Sequence, residues 1–486
     1  MSGTQASYLW FDYETTGIDI AHDRIVEYGA QRTDAALNPI GAPIRLRCRL
    51  NPDHLPSVHS TQVHGIGPLD QNRSGQAEYD FACAIHDHTS QSGTCNIGYN
   101  NYRFDDHFMR HLFYRNLLPP YDFHTRNECS RWDFQEVARA ARALSPQGMQ
   151  WPDYEDGRPC YRLADIAAAN GIAADAHDAL DDARTTLELA RLLHRNSPKF
   201  WDWCSRHRLP GSLSVQLLEP MVWVSARLPK QHLCCSLVLP LQESLRGPRG
   251  WVLAHLDEGA DVLLQRPSLE EMKQLRHDGA LPLSQVRANQ SPMLFPLSAL
   301  TDARSERLGI DIAAQRHLGE ELIRGASLRN HLLSHFAMLL DDDEAARNAR
   351  DDTDDSGHAD PDGRLYQRGF PSRADQKRLG RLRQLPLDDW LAERTTFDDA
   401  DYFDQLLNVL GRNRPDLLSE PQWQVWHRRI CARIKGGPGR TLADFERELA
   451  EAGDDIDERL RGELTAWRDA VLEWMSLAKP PSAHPE

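Results

Sequence analysis

Tyr8-Leu9-Trp10-Phe11-Asp12-Tyr13-Glu14-Thr15-Thr16-Gly17 reads as a buried strand that ends in carboxylates. The apolar run Tyr8 to Phe11 is short, aromatic-rich and closed by a glycine, which is the pattern of a strand rather than a helix. Side chains two apart on a strand share a face, so Asp12 and Glu14 point one way and Tyr13 the other. Two carboxylates that close repel strongly unless a positive charge lies between them. Hard divalent cations such as Mg2+ and Mn2+ supply that charge and prefer oxygen ligands. Standing alone, Asp-x-Glu is better explained by an exposed strand end, and two further acidic motifs reverse that reading.

The second lies in Cys95-Asn96-Ile97-Gly98-Tyr99-Asn100-Asn101-Tyr102-Arg103-Phe104-Asp105-Asp106, a short strand passing through an Asn-rich turn into a helix that carries Phe108, Met109, Leu112 and Phe113. Asp105 precedes Phe108 and Met109 by three and four residues and is expected on the buried face. Asp106 precedes Arg110 by four and fits a solvent-side ion pair, so Asp105 is the candidate ligand. The third motif, Ala176-His177-Asp178-Ala179-Leu180-Asp181-Asp182-Ala183-Arg184, opens a helix expected to run to about His194. At about 100° per residue, Asp181 shares an arc with Arg184, Glu188, Arg191 and Arg195, while Asp182 falls beside Leu189 and Leu193. An inward carboxylate needs a partner. His177 stands on the loop before this helix, and an ordinary pKa of about 6.5 suits it to take a proton from an attacking water. Four carboxylates on separate elements with one histidine suit a two-metal phosphodiester hydrolase, in which cations about 4 Å apart clamp the attacking and leaving oxygens.

These residues resemble the DEDDh group of 3′-to-5′ exonucleases. The Phe11–Gly17, Gly98–Asp106 and Ala176–Asp182 segments are similar more specifically to the bacterial exonuclease I family, as are Ser130-Arg131-Trp132-Asp133 and the stretch from Trp151 to Ile172. The resemblance is specific over residues 1 to about 200 and weaker beyond. It implies an α/β, ribonuclease H-like exonuclease domain, an SH3-like β-barrel domain and a C-terminal α-helical domain, together degrading single-stranded DNA from its 3′ end to 5′-mononucleotides. It also implies that Asp12, Glu14, Asp105 and Asp182 hold two Mg2+ ions, with Mn2+ as a substitute, and that His177 is the general base. One ion would rest on Asp12, Glu14 and Asp182, the other near Asp12, with Asp105 acting mainly through water. Glu14 and the backbone at Thr15 and Thr16 would meet the terminal nucleotide. Arg162 matches a family arginine that contacts substrate and suits a phosphate, a surface salt bridge being the alternative.

The chain has 486 residues, too many for one core, and a net charge of −16. That charge is awkward for a DNA-binding enzyme, but residues 341–363 carry ten Asp/Glu against Arg347 and Arg350, and so contribute −8, half of the total. Arg110, Arg131, Arg139 and Arg142 remain to line a groove. Tyr102, Phe104, Tyr121 and Trp132 are candidate stacking platforms for bases; each is more readily a core residue, and Tyr121, after Pro119-Pro120, is the best exposed choice. Nine scattered cysteines without a Cys-x-x-Cys pair argue against a zinc site and a disulfide framework. There is no long apolar run and no signal-peptide pattern, so a soluble, cytoplasmic and monomeric protein is expected.

The expected organisation is an exonuclease domain over 1–197, an SH3-like middle domain over 198–340, an acidic linker over 341–363, and a helical domain over 364–480. The linker is poor in apolar residues and reads as disordered. In the family the corresponding segment passes over the groove; here its acids either discourage escape of an engaged strand or form a solvated tether. The runs Met221–Val224, Cys235–Leu239, Trp251–Ala254 and Val262–Leu264, separated by Pro and Gly, suggest the small barrel. The resemblance further implies a partner, the acidic C-terminal tail of single-stranded DNA-binding protein, for which Arg412, Arg414, Arg428, Arg429 and Arg433 are candidate contacts. Two rivals stand beside this reading: a DEDDh exoribonuclease or proofreading exonuclease, since the motifs do not separate DNA from RNA, and a non-catalytic single-stranded DNA-binding scaffold.

Overall fold

The computed structural model describes residues 6–173, 177–244, 249–352, 360–392 and 396–481. The chain divides into two compact units, one formed by Met1–Arg131, Asp175–Arg184 and Asp352–Glu486, the other by Trp132–Ala174 and Thr185–Asp351.

In the first unit the N-terminal motif forms β1 (Ser7–Thr15), flanked by β2 (Ile25–Thr33) and β4 (Thr94–Gly98) in a five-stranded sheet of order β3-β2-β1-β4-β5, where β3 is Ile44–Arg47 and β5 is Ser130–Asp133. β1 runs antiparallel to β2 and parallel to β4, so it is central and its Leu9, Trp10 and Phe11 are buried. The Glu78–Thr89 and Asp105–Arg115 helices pack Phe81, Ile85, Phe108, Met109, Leu112 and Phe113 against Leu9, Phe11 and Tyr28 of the sheet. The register pairs Asp12 with Gly29 and Glu14 with Glu27, and breaks between Glu14 and Thr15, the last residue of the strand, which pairs with Ile25.

The helices Asp401–Asn413, Glu420–Gly436, Leu442–Glu451 and Glu458–Met475 share a core with the N-terminal region of this unit. Trp390, Trp423, Trp426 and Trp467 lie in one cluster with Leu50, Leu55, Val58 and Tyr79. Charges are buried across the same junction. Arg24 meets Asp53 at 3.4 Å, Arg115 meets Glu78 at 3.0 Å, and Arg412 meets Glu78 at 3.5 Å and Asp53 at 3.8 Å. Arg412 also binds Asp362 and Arg433 binds Asp360, both in short contacts.

This corrects the disordered reading of the acidic segment. A helix, Ala326–Asp352, runs through its first half, and Asp360 and Asp362 are buried ion-pair partners at its end. Two of the ten acids are therefore not free charge on a tether; Asp354 and Asp355 lie outside the described residues. Burial opposes ionisation of Asp360, but Arg433 and the Asp362 N–H outweigh it and hold its pKa well below the usual range.

The second unit contains an antiparallel sheet of order β10-β6-β7-β8-β9, built from β6 (Met221–Val224), β7 (Cys235–Glu243), β8 (Gly250–His255), β9 (Leu283–Arg287) and β10 (Met293–Pro296). Met221, Trp223, Val238, Trp251, Leu253 and Leu294 form its core. Val262-Leu263-Leu264, expected as a strand, is a 3-10 turn between Gly259 at φ 86° and Arg266 at φ 56°. Only Leu263 of the three is buried, so no face alternates. All nine cysteines are free thiols. No helix among the described residues is long and apolar enough to cross a membrane.

Candidate active site

Asp12 and Glu14 project from the end of β1, and the Ala179–Asn196 helix delivers Asp182 to the same place. Oxygens of these three carboxylates lie within 4.8 Å of one another. Their electrostatics show the strain of that convergence. Burial, followed by the charges of Asp105, Asp182 and Glu14, pushes Asp12 well above the usual carboxylate pKa. Burial and the nearby Asp182, Glu27 and Asp105 push Glu14 up to about 8. Burial pushes Asp182 up to about 6 despite the hydrogen bond it accepts from the His177 N–H. Hard oxygen donors that repel one another this strongly fit a divalent cation, which neutralises all three at once.

Asp105 is buried at the start of its helix and acts on Asp12 and Glu14 through its charge, outside the three-oxygen cluster. Asp106 departs from the expected solvent-side pair with Arg110. It is fully buried, bound by Arg131 in a short ion pair and by Asn101 Nδ2 at 3.0 Å. The physical reason is position. The helix has no solvent-facing side: Arg110 and Tyr114, four and eight residues beyond Asp106, are buried as well, bonded to Tyr366 and Arg368. The buried Asp106 and Asn101 hold the backbone from which Asp105 extends.

His177 is exposed with φ 71°, a left-handed conformation costly for a residue with a Cβ, and its N–H reaches Asp182 Oδ2 at 3.3 Å. The strain is held by Asp178. Its Oδ1 caps the N–H groups of Leu180 and Asp181, both at 3.1 Å, while Arg45 grips it with two 2.6 Å hydrogen bonds. Arg45 and Arg47 also neutralise the buried Glu27, at 3.2 and 2.6 Å, beside Glu14. Gly29 matters for a different reason. A Cβ there would lie 2.1 Å from Leu180 N, so only glycine lets the helix bearing Asp182 approach β2 this closely.

Sequence reasoning missed Glu27, Arg45, Asp178 and Gly29 as supports. Asp178 alone carried a local signal, an N-cap aspartate before an Ala-Leu pair.

The expected substrate contacts fall into two groups. In the first unit, Thr15 follows Glu14 directly, with its Oγ1 donating to Gly17 O at 2.7 Å. Arg110 packs over Tyr121 at 5.6 Å and donates to Tyr366 at 3.3 Å. Tyr121 lines a cavity of about 810 Å³ with Tyr366, Phe370, Arg368, Arg373 and Lys377. Phe370, 84% exposed, was not anticipated. In the second unit, Arg162 is an exposed N-cap residue of the Leu163–Ala169 helix, and Arg139 pairs with Glu136 at 2.9 Å and lies over Tyr161.

Arg131 and Arg142 are not groove cations, because they are committed to Asp106 and to Asp153 with Pro152 O. Trp132 is core, against Trp201, while Tyr102 lies under Arg131 and Phe104 packs on Phe108. Of the five arginines proposed for a protein partner, Arg412 and Arg433 are in the buried network, Arg414 pairs with Asp388 and Asp416, and Arg429 pairs with Asp404. Arg428 is exposed and outside these pairs.

A mixed sheet whose central strand and a crossing helix bring together acidic ligands defines a ribonuclease H-like exonuclease, and the Exonuclease family model matches residues 9–190. Beyond it, the Exonuclease I SH3-like domain model matches 205–338 and the Exonuclease I C-terminal domain model 359–472. Exodeoxyribonuclease I of Haemophilus influenzae is 30% identical over 93% of this chain and 96% of its own length. A crystal structure of Escherichia coli exonuclease I with a dA16 oligonucleotide superposes with a TM-score of 0.84 and 29% identity, over 97% of this chain and 99% of that one. A crystal structure of SSB/exonuclease I with the inhibitor CFAM gives 0.82 and 28%, over 97% and 99%. The chain belongs to the exonuclease I family.

Proposed function

We propose that this protein is an exodeoxyribonuclease that degrades single-stranded DNA processively from its 3′ end to 5′-mononucleotides, in DNA repair and recombination. The observation that carries this reading is the convergence of Asp12, Glu14 and Asp182 within 4.8 Å, in a chain that matches exonuclease I almost end to end. Asp12, Glu14 and Asp182, with Asp105 beside them, would hold two Mg2+ ions, with Mn2+ as a substitute. When bound, the cations supply positive charge to the phosphoryl group and to the leaving 3′-oxygen.

The chain's own residues supply the rest. His177, exposed at the rim of the acid cluster, takes the proton of the attacking water. Its left-handed backbone is fixed by Asp178 and Arg45, which restrict where the imidazole can swing. Glu14 and the Thr15–Gly17 turn receive the terminal nucleotide. Tyr121, with Arg110 packed behind it, borders a cavity that combines aromatic faces with cations, the composition that holds a single strand without sequence preference. Arg139 and Arg162 serve phosphates further along the strand.

The proposed division of labour follows the matched segments: hydrolysis by 1–197, strand guidance by 198–340 and by the helical region 364–480, with 341–363 connecting them. The acids of the connecting segment discourage escape of an engaged strand; Asp360 and Asp362 serve instead as its anchor. The protein acts as a cytoplasmic monomer. An acidic tail of single-stranded DNA-binding protein is the proposed partner, supported by the SSB/exonuclease I structure; Arg428 is the only one of the five arginines above left to contribute.

The test is Mg2+-dependent mononucleotide release from single-stranded DNA labelled at its 3′ or 5′ end, beside duplex DNA and RNA and with EDTA controls. Early loss of the 3′ label from single-stranded DNA alone is expected. A preference for RNA would move the protein to another DEDDh branch, and no release would leave a binding protein.

A further inference from the structure

The turn that follows Glu14 is held by side chains from the far end of the sequence. Thr16 is 1% exposed, and its Oγ1 donates to Asp23 Oδ1 at 3.1 Å. Arg440 Nη1 donates to the same Asp23 oxygen at 3.2 Å, and its Nε donates to Glu448 Oε1 at 2.9 Å. Glu448 Oε2 accepts from Ser57 Oγ at 3.3 Å and from Val58 N at 3.0 Å. Ser57 N then returns to Thr16 O at 2.6 Å. The hydrogen bonds therefore close a ring: Thr16, Asp23, Arg440, Glu448, Ser57 and back to Thr16.

A second tie runs in parallel, since His54 Nε2 lies 2.8 Å from Thr16 Oγ1 and His54 O accepts from Trp467 Nε1 at 3.1 Å. Gly17 wraps the same aspartate; a Cβ on it would fall 2.1 Å from Asp23 Oδ2.

We propose that Arg440 is a positioning residue for the reaction: through Asp23 and Thr16 it fixes the Thr15–Gly17 turn against which the 3′-terminal nucleotide is seated. The inference rests on the reading of that turn as the nucleotide seat. Its physical basis is the break in strand register between Glu14 and Thr15. Upstream of the break, the β1 ladder fixes the backbone and hence the acid ligands. Downstream, Thr16 N donates to Arg24 O at 2.8 Å and Arg24 N donates back to Thr16 Oγ1 at 2.9 Å, and the ring and the His54 tie hold the turn from the other side. Without the Arg440 guanidinium, Asp23 is a buried carboxylate beside Thr16 lacking its cation, and the turn relaxes around it. The acid cluster, held by the sheet and the Asp182 helix, does not. The helical region thus contributes to nucleotide placement as well as to the shared core.

The experiment uses the full chain with Arg440→Met and Arg440→Lys beside wild type. KM and kcat are measured on a 3′-ended single-stranded oligonucleotide, and the Mg2+ midpoint is taken from thermal shift. Arg440→Met is expected to raise KM on the order of tenfold, with kcat within about twofold and the Mg2+ midpoint unchanged. Arg440→Lys, which keeps a cation for Asp23, is expected to recover most of the loss. A purely structural role would lower kcat with the folded fraction and leave KM where it was; that outcome, an unchanged enzyme, or a KM rise that lysine fails to reduce would overturn the inference. An inactive wild type would instead overturn the proposed function, so the two failures are distinguishable.

Discussion

Asp12, Glu14 and Asp182 are three converging acids whose proton affinities are all raised. A carboxyl group with a raised folded pKa keeps its proton longer in the native than in the unfolded chain. The native state then binds more protons, and stability falls as pH rises from the unfolded value to the folded one. For Glu14 that window runs from its ordinary 4.5 up to about 8, and for Asp182 from 3.8 up to about 6. The metal-free protein should lose stability across this range, and Mg2+, which must displace those protons, should bind more tightly towards its upper end. The expected result is a larger Mg2+-induced rise in Tm at about pH 8.5 than at about pH 6, with protons released on binding; an equal rise at both would contradict the assignment. At this scale much was legible. Residue type and spacing were enough to single out Asp12, Glu14, Asp105, His177 and Asp182 as candidates. Asp106 was misplaced because amphipathic periodicity assumes one side of the helix open to solvent, whereas here Arg110 and Tyr114 on that side are buried too.

The elements that carry the acids meet through contacts no local pattern reveals. Gly29 lies opposite Asp12 in the β1–β2 ladder and under the first turn of the helix bearing Asp182, a closeness set by segments about 150 residues apart in sequence. Gly29→Ala drives a methyl group into helix backbone, which cannot rotate away as a side chain can. We expect a cost of about 1–3 kcal/mol from overpacking, together with weaker Mg2+ binding as Asp182 is displaced. A Gly29→Ala protein with wild-type Mg2+ affinity would show that the helix does not depend on this approach. The strands β1, β4, β6, β7 and β8 were visible as apolar runs between turn residues. Val262–Leu264 was not resolved by the same rule, since three apolar residues carry too little alternation to separate a strand from a 3-10 turn.

At the scale of the molecule, the sequence suggested a succession of domains, and within the first unit the structure adds a core shared by its N-terminal and C-terminal segments. Tryptophans of the helical region share a core with Leu50, Leu55 and Val58, and four arginines balance Asp53, Glu78, Asp360 and Asp362 inside it. Composition marked Asp360 and Asp362 as linker charge because only their distant partners, Arg433 and Arg412, distinguish an anchor from a tether. Asp360→Asn leaves the buried Arg433 with only the more distant Asp53 carboxylate, at 3.7 Å, and should cost about 3–5 kcal/mol, whereas Asp342→Asn, which loses an exposed pair with Lys273 at 3.1 Å, should cost less than about 1 kcal/mol. Urea denaturation midpoints compare the two directly, and equal costs would contradict the anchor. The proposed chemistry is tested by 3′-label release from single-stranded DNA by wild type, Asp182→Asn and His177→Ala. Rapid Mg2+-dependent release is expected from wild type, almost none from Asp182→Asn, and a rate about 10²–10⁴-fold lower from His177→Ala; near-normal turnover in either variant would refute the two-metal, His177-assisted hydrolysis.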